Sequence, residues 1–589
     1  MPGAFILKRW TMENIKQVLE RFLGDALCKA SGIEDARANV ICSSRPEFGD
    51  YQANGVMSVA KHLRRNPRDL AAETVACFQG DPRIAEITVA GPGFINIVLS
   101  DAYLAHAATR ALRVRDLIAA TDHTLRIVVD YSGPNLAKEM HVGHLRGTII
   151  GDCIARVLDA LGHTVIRQNH VGDWGTQFGM LIAYMDSLQS EPQTATMELA
   201  DLELFYRNAK ARFDSDTGFA ELARRYVVRL QQGDADCLRA WQHFIEHSLK
   251  HCEAIYDKLG VTLTSDDVRA ESYYNSDLPL IIEELNAQGM LSVSDGARCV
   301  FLEEFKGKEG APLPAIVQKS DGGFLYATTD LAALRFRGRT LNADRILYVV
   351  DARQSLHFQQ VFAIARKAGF VPLDCRLEHI AYGTMMGKDG KPFKTRSGDT
   401  VKLQELLDEA VRRALNIVTE KNPELSQEAR DRISNAVGIA AVKYSDLSKN
   451  RTSDYVFDWD TMLSMEGNTA PYMLYAYARI RSILRKQAES GVSCNLGDIL
   501  PGEVEERALM VKLLQYTETL HVVAVDCMPS HLCSYLYELA GTFMRFYEVC
   551  PVLKAEPKVR ASRLSLVALT AEVLQSGLTL LGLQTLETM

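Results

Sequence analysis

The sequence predicts an α/β protein: a doubly wound, Rossmann-like parallel sheet with an N-terminal α+β domain and a C-terminal all-α helix bundle. Three observations carry this expectation. Leu125 to Asp130 is a largely apolar run rich in β-branched residues, which reads as a buried strand. A helical pattern from about Leu145 to Leu161 and a second strand-like run, Thr164 to Arg167, follow it and complete a β-α-β unit. From about residue 400 onward the periodicity is helical almost throughout.

The remaining elements fall around that unit. Before it, helix-like stretches (Ile15 to Leu23, Val56 to Leu63, Pro67 to Phe78) mix with strand-like Ile84 to Val89 and Phe94 to Ile97 across the Gly91-Pro92-Gly93 turn. This is the expected α+β domain, residues 1–120. After it, residues from about 185 to 290 are charged and mostly helical in pattern, as an insertion between two halves of a sheet would be. The strand signal returns at Arg345 to Val350. The expected catalytic domain is therefore 121–400 and the expected bundle 401–589, with no fixed-period repeat or low-complexity tract.

Composition narrows the class. A chain of 589 residues, 47% hydrophobic and 24% charged, is that of a globular protein with roughly three to five folding units. No apolar stretch approaches the roughly 18 residues of a membrane helix, and the basic start at Lys8-Arg9 lacks the apolar core of a signal peptide. A cytoplasmic protein is expected, with the segment before Met12 an extension or an upstream start. Twelve scattered cysteines without a Cys-x-x-Cys pair imply reduced, mostly buried thiols and no structural metal. A net charge of -8 argues against nonspecific polyanion binding, although an acidic protein can still present a local basic face to a folded RNA.

The chemistry concentrates after the first strand, in the run Tyr131-Ser132-Gly133-Pro134-Asn135-Leu136-Ala137-Lys138-Glu139-Met140-His141-Val142-Gly143-His144. Histidines at i and i+3 of a helix start share one face, where their ring N–H groups can join backbone N–H groups around phosphate oxygens. Gly143 leaves room for a nucleotide to approach. A His-x-Gly-His tetrapeptide alone also fits ordinary helix-start histidines; its place directly after a buried strand turns the reading to nucleotide chemistry. Class I aminoacyl-tRNA synthetases and small nucleotidylyltransferases both use such a motif.

Just past the second strand comes Asn169-His170-Val171-Gly172-Asp173-Trp174-Gly175-Thr176-Gln177-Phe178-Gly179, where a sheet of this kind places its ligand. Together with Ser132 to Met140, this string resembles the arginyl-tRNA synthetases of bacterial type, and the resemblance spans essentially the whole chain. It implies activation of L-arginine with ATP, as its Mg2+ complex, and transfer to the terminal adenosine of tRNA(Arg). It places ATP at His141, Gly143, His144, Gly172 and Trp174. A monomer is implied, as is a requirement for bound tRNA before the adenylate forms.

Arginine makes its own demand: a guanidinium entering a pocket must meet carboxylates and hydrogen-bond acceptors. Tyr326 and Asp330, four apart in a helical pattern, can converge. The resemblance assigns them to the guanidinium with Gln354 close by, adds Asp130 as a further acid, and gives Asn135 and His144 to the backbone end of the amino acid. Class I enzymes carry a second signature, Lys-Met-Ser-Lys-Ser, whose lysines neutralise the leaving pyrophosphate. Here the corresponding loop, Gly387 to Gly398, is irregular: Lys388, Lys391, Lys394 and Arg396 keep the charge and lose the spacing. The family's implied substitute is Lys138, three residues before His141.

Two regions offer groups for RNA. Phe48-Gly49-Asp50-Tyr51-Gln52-Ala53-Asn54 combines aromatics with amide and carboxylate groups for base edges, and the resemblance puts this domain at the D loop of tRNA. Asn468, Tyr472, Tyr475, Arg479 and Arg481 interleave polar, aromatic and basic groups around a helix started by Pro471, for the anticodon stem and loop. About half of those tyrosines belong to the core by helical geometry. The rival readings are another class I enzyme and a nonenzymatic tRNA-binding protein. A cysteine enzyme lacks its zinc ligands here, a glutamine pocket has no use for Asp330, and intact His141, His144, Tyr326 and Asp330 oppose loss of catalysis.

Overall fold

The computed structural model describes residues 13–43, 45–115, 117–188, 202–307, 310–393, 401–490 and 496–589. Lys394 and Arg396 of the irregular loop, and the segment before Met12, lie outside the described residues. The chain divides into two compact units.

The first unit comprises Met1–Asp122, Ser464–Leu580 and Thr585–Met589. Its strands β1 (Val40–Cys42), β2 (Tyr51–Ala53), β3 (Ile84–Ala90) and β4 (Phe94–Leu99) form an antiparallel sheet in the order β1-β2-β4-β3. The helices Ile15–Ser31, Val56–Leu63 and Pro67–Cys77 accompany it, as their sequence patterns predict. β1 and β2 were not foreseen, because three residues are too few to show a period-2 pattern and these strands exist by pairing along β4. The later part of the unit is the helical bundle Ala470–Glu489, Val504–Leu514, Tyr516–Asp526, Pro529–Val549 and Pro557–Leu580.

The second unit comprises His123–Leu463 and Leu581–Gln584. It contains β5 (Arg126–Asp130), β6 (Thr164–Gln168), β7 (Leu291–Ser294), β8 (Ala297–Lys306), β9 (Pro312–Gln318), β10 (Arg345–Tyr348), β11 (Arg376–His379), β12 (Met385–Met386) and β13 (Tyr455–Val456). Four of them form a parallel sheet ordered β11-β10-β5-β6. Ile127, Val128 and Val129 have no exposed surface, so both faces of the sheet are covered. The chain steps from β5 to β6 in one direction and from β10 to β11 in the other. Right-handed crossovers therefore place the helices Val142–Ala160 and Ser355–Lys367 on opposite faces, with a switch point between β5 and β10.

Two features depart from the sequence reading. The stretch after residue 290 is an antiparallel sheet, β7-β8-β9, whose partly exposed strands blur the apolar alternation that would reveal them. The helices Leu403–Lys421 and Gln427–Leu447 belong to the unit of the parallel sheet, not to a separate bundle beginning at 401. Arg146 of the helix Val142–Ala160 and Asp446 are both buried and paired at 3.0 Å, and Arg146 Nη1 donates to the carbonyl of Ser453. Helical periodicity announces an apolar face that must be covered without saying by what. Among the described residues no helix is long and apolar enough to cross a membrane.

Candidate active site

The parallel register lines up Gln168, Asp130, Tyr348 and His379 across the carboxyl edge of the sheet. Arg337 stitches this row together. Its Nε donates to Gln168 Oε1 at 2.6 Å, its Nη2 to Asp130 Oδ2 at 2.8 Å, and its guanidinium lies 4.8 Å from the Tyr348 ring centre. Asp130, expected to meet the arginine substrate, is instead engaged inside the chain by a fully buried partner. Removing one member of such a pair leaves an unpaired buried charge, at about 3–5 kcal/mol. Neither the sequence period nor any motif marks Arg337.

Both motif loops leave this edge, and backbone bonds zip them together. Leu136 N–H donates to Gly172 O at 2.9 Å, Gly172 N–H to Pro134 O at 3.1 Å, and Gly133 N–H to Asn169 Oδ1 at 3.0 Å. Ser132 and Gly133 take up positive φ (73° and 52°) to make the turn. Asn135 Oδ1 accepts from Ala137 N–H, which leaves its amide N–H groups as the part that can meet a ligand carboxylate. A Cβ on Gly172 would come to 3.4 Å of that amide nitrogen, so glycine keeps its approach open. Trp174 is held edge-on against Trp241, with ring centres 5.7 Å apart.

The histidine pair is built as a helix cap. His141 precedes the helix Val142–Ala160, and its Nδ1 accepts from Gly143 N–H at 3.1 Å. His144 Nδ1 accepts from His141 N–H at 3.0 Å. An Nδ1 that accepts must be unprotonated, so each neutral ring carries its proton on Nε2, as an outward donor. Burial and the adjacent charge of Lys138 lower the His141 pKa; burial, His141 and Lys138 push His144 down to about 3. These imidazoles are neutral donors rather than cations. Gly143 serves the cap as well, since a Cβ there would meet the His141 ring at 2.8 Å; the room it leaves is filled by its own neighbour.

The cations of the site differ in their engagement. Lys138 Nζ stands 4.4 Å from the centre of the Tyr206 ring. Lys388 is ion-paired with Asp458, whose hydrogen bond and charge raise its pKa. Lys391 lies on a tight turn closed by Gly387 N–H to Lys391 O at 2.7 Å, with Gly390 at φ 70°. Past the undescribed part of the loop, the chain returns onto the cap: Val142 N–H donates to Val401 O, Leu403 N–H to Met140 O, and Lys402 pairs with Glu139 at 3.1 Å.

The expected arginine pocket gains an unforeseen acid. Tyr326 and Asp330 lie one turn apart on the helix Tyr326–Arg335, Tyr326 67% exposed and Asp330 bonded to His357 at 2.6 Å. Gln354 is exposed at the start of the helix Ser355–Lys367. Glu271 arrives from the insertion because its segment is sewn to the second motif. Glu271 N–H donates to Val171 O at 3.0 Å, Arg269 N–H to Asn169 O at 3.0 Å, and Ser272 N–H to Asp173 Oδ1 at 2.8 Å. Burial, then the charges of Asp173 and Asp330, push the Glu271 carboxyl up to about 8, and burial followed by Glu271 raises the Tyr326 hydroxyl. Such a concentration of carboxyls suits a cation.

Of the residues expected at RNA, several are spent on packing. Tyr51 is 1% exposed and its hydroxyl donates to Glu518 at 3.2 Å; Asp50 accepts from the two Arg507 Nη atoms at 2.8 Å and from Leu99 N–H. Both are thus engaged within the chain, where they fix the turn that carries Phe48, which is 36% exposed. Gln52 Nε2 donates to Asn96, and Asn54 is partly buried. On the helix Ala470–Glu489, Tyr477 is core, Tyr472 is half-buried against Tyr537, and Tyr475 is 42% exposed beside Arg479, which donates to its hydroxyl. Arg481 is held by Glu587, while Asn468 sits in the loop before the helix.

Comparison with known proteins agrees across the chain. The model of the class I (R) tRNA synthetase catalytic domain matches residues 108–459, the arginyl tRNA synthetase N-terminal domain 13–99, and the DALR anticodon binding domain 473–589. An arginine--tRNA ligase of Hahella chejuensis is 56% identical over 578 residues, covering 98% of this chain and all of the relative. One from Marinomonas sp. is 56% identical over 577, with the same coverage. The crystal structure of arginyl-tRNA synthetase from Plasmodium falciparum superposes with a TM-score of 0.85 at 29% identity, covering 98% of this chain and 100% of that one. The Thermus thermophilus arginyl-tRNA synthetase gives 0.82 at 25% identity and the same coverage. A histidine-capped helix start at a parallel sheet's carboxyl edge, a group of carboxyls that includes Glu271 and Asp330, and full-length kinship place this chain in the arginyl-tRNA synthetase family.

Proposed function

We propose that the chain esterifies tRNA(Arg) with L-arginine at the expense of ATP, in two steps at one site. The observation that carries this reading is the pairing of opposites along one sheet edge: neutral N–H donors at the His141/His144 cap, and an acid trio of Asp173, Glu271 and Asp330. A triphosphate suits the first end and a guanidinium the second. Asp330, Glu271 and Tyr326 meet the guanidinium, Gln354 lies at its rim, and Asn135 takes the carboxylate end. Asp130 contributes through Arg337, by holding the edge from which both loops leave.

The arginine carboxylate attacks the α-phosphate of ATP, which enters as its magnesium complex; the P–O bond to the β-phosphate breaks and pyrophosphate leaves. Alignment and charge stabilisation drive the step, with no protein nucleophile. His141 and His144 offer Nε2–H to the phosphates, Lys138 and the loop lysines Lys388, Lys391 and Lys394 supply positive charge, and Gly172 and Trp174 border the nucleotide. The hydroxyl of the terminal adenosine then attacks the carbonyl and releases AMP. Contact with tRNA is assigned to Phe48, Gln52 and Asn54 at one end and to Asn468, Tyr472, Tyr475 and Arg479 at the other. A cytoplasmic monomer is inferred from composition and from the family resemblance; light scattering tests the oligomeric part.

Aminoacylation of total tRNA with each of the twenty amino acids tests the assignment, with arginine alone expected to be esterified and Asp330→Ala expected to abolish it. Robust arginine-dependent ATP-pyrophosphate exchange without any tRNA would refute the requirement for bound tRNA.

A further inference from the structure

We infer that His357 is a positioning residue for arginine recognition, a crossbrace that holds the plane of the Asp330 carboxylate. The inference rests on the reading that Asp330 meets the guanidinium. The two residues come from different elements, Asp330 from the helix Tyr326–Arg335 and His357 from the helix Ser355–Lys367, and their side chains are 13% and 30% exposed. His357 Nε2 lies 2.6 Å from Asp330 Oδ2. A carboxylate only accepts, so the imidazole Nε2–H is the donor in this pair. The ring is itself fixed, edge-on to Phe358 with centres 5.3 Å apart.

With burial and then the charge of Asp173, the charge of Asp330 lies close enough to Glu271 to keep the Glu271 carboxyl protonated up to about 8. A protonated Glu271 carboxyl can donate, and an unbraced carboxylate on the first turns of a helix is free to turn toward that donor or toward solvent. A guanidinium is a planar fork whose parallel bonds require the carboxylate in its own plane. Each carboxylate oxygen has two lone pairs, so Oδ2 can serve His357 and the substrate at once. By this account His357 sets the affinity for free arginine without touching the reacting phosphorus, and its loss falls on KM rather than on kcat.

The test is steady-state aminoacylation at saturating ATP and tRNA with arginine varied, on His357→Ala, His357→Gln and Asp330→Asn, together with each variant's thermal midpoint. His357→Ala is expected to raise the arginine KM by about tenfold with kcat changed less than about threefold. His357→Gln, whose amide N–H reaches about as far as Nε2, is expected to restore KM to within about threefold of the parent. An unchanged KM in His357→Ala overturns the inference. So does an equal defect in His357→Gln, which would make the ring mere packing, or a fall in kcat together with the thermal midpoint. Should His357→Ala fail to fold, His357→Asn, too short to reach Asp330, is compared with His357→Gln on the same criteria. If Asp330→Asn leaves KM unchanged, the reading of the pocket fails; if it raises KM while His357→Ala does not, only the brace fails.

Discussion

The two ends of the site handle charge in opposite ways. At the nucleotide end, where a polyanion is expected, the histidines are neutral: the cap fixes both Nδ1 atoms as acceptors, and burial keeps the rings from charging. At the amino-acid end, where one cation is expected, Asp173, Glu271 and Asp330 crowd together and Glu271 holds its proton to about 8. The first end gains by preorganised dipoles, which need no reorganisation as charge moves. The second holds a proton that an arriving guanidinium displaces. Mutations that separate dipole from charge test whether this contrast is functional.

The largest expected effect is at the dipole end. His144→Ala removes an Nε2–H donor together with the acceptor for the His141 N–H. Loss of one preorganised donor costs about 2.7–4 kcal/mol in the transition state, a fall in kcat of about a hundredfold to a thousandfold in tRNA-dependent pyrophosphate exchange. The cap itself is worth about 1 kcal/mol of stability, measurable by urea denaturation. With its pKa near 3, His144 does not titrate between pH 5 and 8. A rate that rises across that range in the parent but not in a His144→Asn variant would sink the neutral-donor account.

The charge end should respond to pH. In the empty pocket Glu271 is protonated below about 8, whereas a bound guanidinium favours its ionised form. Arginine binding therefore releases a proton and tightens as pH rises toward that value. Between pH 6 and 8, kcat/KM for arginine is expected to climb by about fiftyfold, from the change in the ionised fraction of one such group. Glu271→Gln cannot ionise and should flatten this rise while weakening binding at pH 8. A profile of equal steepness in Glu271→Gln would assign the titration to another group.

How much of this was legible follows from how far each feature reaches along the chain. β5 and the helix after it were legible because continuous burial leaves its mark residue by residue, β6 because its β-branched residues follow that helix directly, and the histidine pair because its spacing is local. Glu271 and His357 were not, since each reaches the site through another segment: Glu271 by backbone bonds to Asn169, Val171 and Asp173, His357 by a helix packed beside that of Asp330. The same limit hid the partners of Asp50 and Tyr51. Their string resembles an exposed aromatic turn, but their partners Arg507 and Glu518 lie 457 and 467 positions further along. A motif shows which groups are present; only the fold shows which are already engaged.

The smallest expected effects concern the lysines, where engagement decides the ranking. Lys138 rests on the face of Tyr206, a contact that holds the ammonium without neutralising it, so its full charge stays beside the histidine cap. Lys388 is paired with Asp458 and must exchange that partner for a phosphate, so the net charge it brings is smaller. Lys138→Ala is therefore expected to lower tRNA-dependent pyrophosphate exchange by about tenfold, and Lys388→Ala by less than about threefold. Tyr206→Leu keeps the charge and loses only its support, so its effect should fall between the two. Were Lys388→Ala the more damaging, the irregular loop would be carrying the pyrophosphate after all, and Lys138 would not be its substitute.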